Sequence, residues 1–86
     1  PVALRAAGIV TLGRVAKPGD TAARTTLVSA LRENDAAVAL AAARGIAAFG
    51  DKSLLPDLRD LQQKPPAGGS GRFFRAAIAA AIKQLE

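Results

Sequence analysis

The chain has 86 residues, 21 of them alanine, with no Cys, His, Met, Trp or Tyr and a net charge of +5. A disulfide framework, a Cys or His metal site, and Ser-His or Cys-His nucleophile pairs are therefore excluded. Half of the residues are apolar, which is the balance of a folding chain and not of a disordered tail.

Alanine, leucine and arginine favour helix, and the sequence predicts five helices. The first spans Val2 to Val15, with Leu4, Gly8, Leu12 and Val15 on one face at amphipathic spacing. Lys17-Pro18-Gly19-Asp20 breaks it. The second starts near Thr21, a good N-cap residue, and runs to about Glu33 with Leu27, Val28 and Leu31 inward. Asn34-Asp35 turns the chain. The third, Ala36 to Phe49, carries the stripe Val38, Ala42, Gly45, Ile46 and Phe49, and Gly50 suits its left-handed end. Asp51 or Ser53 caps a fourth helix bearing Leu54, Leu55, Leu58 and Leu61, with Pro56 tolerated in its first turn. Lys64 to Gly71 is the longest loop. The fifth helix begins at about Arg72, with Phe74, Ala77, Ile78, Ala81, Ile82 and Leu85 on its apolar face.

These helices repeat. Superposing Leu4, Val38 and Phe74 also superposes Gly8, Ala42 and Ile78, then Leu12, Ile46 and Ile82, then Val15, Phe49 and Leu85. A period of this length marks a helical solenoid. The segments Leu4-Arg5-Ala6-Ala7-Gly8 and Val38-Ala39-Leu40-Ala41-Ala42, and the run from Ile46 to Leu58 with its early proline, resemble the HEAT-like repeat family. Its short-repeat branch, named after phycobilisome lyases, is the nearest likeness. The resemblance covers nearly the whole chain and implies an all-α, right-handed α-α superhelix of the armadillo-like kind. The divisions are a half repeat at 1–16 and whole repeats at 17–50 and 51–86. Ala39 stands where the family usually has arginine, Thr25 where it has proline, and the Lys64–Gly71 loop is longer than its usual turn.

The first helix has apolar residues all round it and no polar capping face, so further helices are expected to precede Pro1. The fifth helix, with Arg72, Arg75, Lys83 and Gln84 outward, reads as a C-terminal cap. The chain is accordingly expected to be the C-terminal fragment of a longer protein.

No constellation predicts catalysis or a cofactor. Asp57 and Asp60 share an exposed helix face, and Asp20, Asp35 and Asp51 suit helix N-termini as caps. Gly68-Gly69-Ser70-Gly71 precedes a helix as a phosphate loop would, yet lacks the preceding strand and following Gly-Lys-Ser/Thr, and reads as a connector. Phe49 and Phe74 sit at core register and Phe73 at the core edge, so none is a base-stacking platform. The longest apolar run, Ala36 to Ala43, is far short of the roughly 20 residues of a membrane span.

The resemblance implies that the second helix of each repeat lines a concave surface. Those helices hold Arg5, Arg14, Arg44, Arg72, Arg75 and Lys83, with Glu86 their one acid. The six spread over most of the polar arc and do not form one stripe. The leading expectation is a non-catalytic scaffold that binds a protein partner, an acidic one on this face, or the preceding domain of its own chain. A small-molecule ligand is not expected. HEAT-like tails also stand behind catalytic domains such as those of bacterial zinc aminopeptidases, which gives a second expectation, an accessory domain. The third, electrostatic nucleic-acid binding, has least support because the helical-repeat DNA glycosylases use aromatic and acidic residues in a basic groove, and this chain has no Trp or Tyr.

Overall fold

The computed structural model describes residues 2–65 and 71–86. Those residues form five α-helices and no strand: α1 (Val2–Val15), α2 (Thr21–Leu31), α3 (Ala36–Phe49), α4 (Leu55–Gln63) and α5 (Arg72–Leu85). A 3-10 turn, Lys52–Leu54, leads into α4. No helix among the described residues is long and apolar enough to cross a membrane. The glycine-rich phosphate-loop candidate at 68–70 lies outside the described residues.

Carboxylates fix two of the helix starts. Asp20, and not Thr21, is the N-cap of α2, its Oδ1 accepting from the Ala23 N–H at 3.1 Å. Asp35 Oδ1 accepts from the N–H groups of Ala37 and Val38 at 2.9 and 3.2 Å and opens α3. Each supplies an acceptor to donors that the first helical turn leaves unpaired. Gly50 closes α3 at φ 73°, a left-handed conformation that costs glycine little.

Helix α3 is the centre of the molecule. It packs against α1, α2 and α5, while α4 packs on α5. The ion pair of Arg24 with Asp57, 3.7 Å apart, joins α2 to α4 and puts both on the same side of the α1–α3–α5 row. The thinnest dimension, 16 Å between α-carbons, fits two helix layers about 8–10 Å apart.

A helix surrounded on three sides needs small side chains, and α3 has them. Ala39, Ala41, Ala42, Ala43 and Gly45 are all buried, and Val38, Ile46 and Phe49 fill the spaces between neighbours. The crossing with α1 is a backbone contact. A Cβ on Gly13 would stand 2.1 Å from the Gly45 carbonyl oxygen. One on Gly45 would stand 3.0 Å from the Ile9 oxygen and 3.1 Å from Leu27 Cδ2.

That crossing corrects the expected face of α1. Its buried residues are Ile9 and Gly13, with Ala6, Val10 and Leu12 partly covered. Leu4 and Val15 are exposed, and a Cβ on Gly8 would meet nothing within 4 Å. The stripe Leu4–Gly8–Leu12–Val15 exists on the helix but is mostly open, because the glycine pair turns the opposite side of α1 onto α3. Phe73 is likewise exposed and not core edge; its ring lies under the Arg72 guanidinium, 5.3 Å away. In α2, Leu27 and Leu31 are buried as expected, but Val28 is only partly so.

Candidate functional site

The six basic residues are all exposed. Their surroundings divide them. Arg5 turns toward α2 and pairs with Glu33, which holds its guanidinium even more firmly protonated, first through the hydrogen bond and then through charge. Arg44 lies on the opposite side of the row, on a groove of about 280 Å³ between α1 and α3 whose walls include Ala7, Val10, Leu40 and Ala41. A second groove of about 200 Å³, between α3 and α5, is lined by Ala36, Ala37, Leu40, Phe73 and Phe74.

The two grooves share Ala37 and Leu40 and so form one shallow, mainly apolar surface across α1, α3 and α5. Arg44 lines it on the α1–α3 side, and Phe73, which lines it on the α5 side, carries the Arg72 guanidinium over its ring. At about 100° per residue, Arg14 shares the Val10 side of α1, and Lys83 shares the Arg72 side of α5. Arg75, three residues after Arg72, lies about 60° from it around α5. Of the six basic residues, then, Arg44 lines a groove, Arg72 stacks on a residue that lines one, and Arg5 pairs with Glu33 beside α2.

Phe73 and Leu40 are the functional candidates that sequence reasoning passed over. Phe73 follows Arg72 and precedes the buried Phe74, and two adjacent aromatics on a helix point about 100° apart. One of them had to face away from the core.

A different polar centre has a structural task. Asp51 is buried. Its Oδ1 accepts from the Ser53 Oγ–H at 2.7 Å and the Ser53 N–H at 2.9 Å, and its Oδ2 accepts from the Gly19 N–H at 3.1 Å. The Ser53 hydroxyl, then the Ser53 and Gly19 amides and the charge of Arg24, hold the carboxyl below its ordinary range against the opposing effect of burial. Asp51 thus caps the 3-10 turn, with Ser53 its donor, and α4 itself follows Leu54 without a side-chain cap, which corrects the expectation that Asp51 or Ser53 caps the fourth helix. The bond to Gly19 ties the α1–α2 turn to the start of α4. Arg24 Nε, buried on α2, has no hydrogen-bond partner among the described residues. No cluster of three acids, His or Cys that could hold a metal occurs among the described residues.

No protein-family model matches the chain, no curated protein matches it, and no solved structure matches it.

Proposed function

We propose that the chain is a non-catalytic helical-repeat scaffold that binds an acidic segment of a partner protein across α1, α3 and α5. One observation carries the reading: two apolar grooves that share Leu40 and Ala37 run between Arg44 and the Arg72–Phe73 stack. Apolar side chains of a partner would enter the grooves, and its carboxylates would meet the guanidinium groups at their edges. The side-by-side order of α1, α3 and α5, with α2 and α4 on one side, supports a stack of repeats in the register of Leu4, Val38 and Phe74. The net charge of +5 favours encounter with an acidic partner.

The test uses a fluorescent peptide that alternates Asp or Glu with Leu or Phe. Arg44→Glu combined with Arg72→Glu is expected to weaken its binding at least about tenfold, with a smaller effect in high salt. Unchanged affinity contradicts the proposal. A DNA duplex that binds more tightly than the peptide, with a steep loss in salt, replaces it with nucleic-acid binding.

A further inference from the structure

The two grooves of the α1–α3–α5 surface have different walls. The α1–α3 groove is lined by small aliphatic side chains and Leu40, with Arg44 among them and no aromatic residue. The α3–α5 groove sets Phe73 and Phe74 of α5 against Ala36, Ala37 and Leu40 of α3, and no charged residue lines it. Two short alanine side chains on one helix thus leave a space beside two rings on the next. Of the three phenylalanines, Phe49 and Phe74 are 1% and 4% exposed, while Phe73 is 68% exposed.

The space has the size of one ring. It holds about 200 Å³, and an aliphatic cavity of about 150 Å³ accepts benzene. A whole helix, about 10–12 Å across, does not enter it. The charge stands beside the groove and not in it. The Arg72 guanidinium lies over the Phe73 ring, 5.3 Å from its centroid, yet Arg72 does not line the groove. Arg72 makes no ion pair among the described residues. Asp35, the acid next to Ala36, already accepts from the Ala37 and Val38 amides.

We infer that the α3–α5 groove takes one phenylalanine-sized aromatic side chain of the partner segment, with the carboxylate of an adjacent partner residue on Arg72. The inference rests on the acidic-partner reading and adds the residue type that anchors it. An entering ring meets Phe73 and Phe74 in edge-to-face or offset contact, which an aliphatic side chain cannot make. It also loses little conformational freedom, having two side-chain torsions. Stacking on Phe73 holds the Arg72 guanidinium beside the anchor before the partner arrives. Arg44 is one turn beyond Leu40, about 6 Å along α3, where a second carboxylate of the same segment reaches it. Phe73 and Ala36 are then the residues that set specificity, the first by its ring and the second by its small size.

The experiment compares three fluorescent peptides with identical flanking acids and a single central Phe, Leu or Ala. The Phe peptide is expected to bind at least about tenfold more tightly than the Ala peptide and about threefold more tightly than the Leu peptide. Ala36→Leu, at an exposed position that lines only the α3–α5 groove of the two, is expected to erase this ranking. Ala7→Leu, at an exposed position that lines only the α1–α3 groove, is expected to keep it. Leucine favours helix at both positions, and unchanged thermal unfolding checks that both variants are folded. Phe73→Leu is expected to bring the Phe peptide to the level of the Leu peptide. Equal affinities of the three peptides, with Arg44→Glu plus Arg72→Glu still weakening all of them, overturn the anchor alone. A ranking that Ala7→Leu erases and Ala36→Leu keeps also overturns it, since the ring then sits between α1 and α3. Unchanged affinity in the double arginine variant overturns the acidic-partner reading itself, and the anchor with it. Absence of saturable binding by any peptide up to about 1 mM overturns both.

Discussion

Helices α1 and α5 flank the same central helix and have the same length, yet bury different amounts of themselves. Along α5, Phe74, Ile78, Ala81, Ile82 and Leu85 are all buried, whereas α1 buries Ile9 and Gly13. The difference lies in what covers each. Helix α4 closes over α5, while α2 leans mainly on α3 and only its edge reaches α1. An apolar stripe becomes core only when a second element lies on it. Helix α1 is held instead by one close crossing, Gly13 against Gly45.

The largest test of that contrast replaces equivalent residues. Phe74→Ala is expected to cost about 3–5 kcal/mol and Leu4→Ala no more than about 0.5 kcal/mol, read by urea unfolding. Equal losses would mean that α1 has a cover like that of α5. Next, Gly13→Ala forces a Cβ into backbone and is expected to cost about 3 kcal/mol, because neither helix can yield without moving. Thermal unfolding with helix content monitored will separate loss of the α1–α3 crossing from loss of α1 itself.

Asp51 tests the join between turns. Asp51→Ala removes three hydrogen bonds to one carboxylate and is expected to cost about 2 kcal/mol. Its pKa is lowered on folding, so its stabilisation is present above the unfolded value of about 3.9 and fades as pH falls through the folded value. A melting-temperature series in acid should therefore be shallower for Asp51→Asn than for the parent. Identical slopes would remove Asp51 from the account. The smallest effect has the opposite sign. Gly8→Ala meets empty space and is expected to stabilise by about 0.5–1 kcal/mol through helix propensity. Two glycines of one helix thus differ in sign because only one lies at the crossing.

Helix positions followed directly from propensity and caps. Asp20, Asp35, Asp51 and Gly50 mark boundaries by chemistry that acts within a few residues. The stripes of α3 and α5 were readable because each places its larger apolar residues on one side. Helix α1 was not, since Val2, Leu4, Ile9, Val10, Leu12 and Val15 surround it and periodicity cannot rank two apolar sides. Gly13 opposite Gly45 decided the matter, and that pairing is a tertiary fact. The Asp51–Gly19 bond was hidden for the same reason, as it joins turns 32 residues apart. The basic residues were readable as a set, but their division between α2 and the grooves depends on Glu33 and on the direction of Phe73.

The open side of α1 can be measured without a partner, since the chain has no cysteine to interfere. Single variants Leu4→Cys and Phe74→Cys report accessibility through thiol modification rates. The account predicts that Leu4→Cys reacts within about tenfold of an unfolded-chain thiol, and that Phe74→Cys reacts at least about a thousandfold more slowly. Comparable protection at both positions would contradict it.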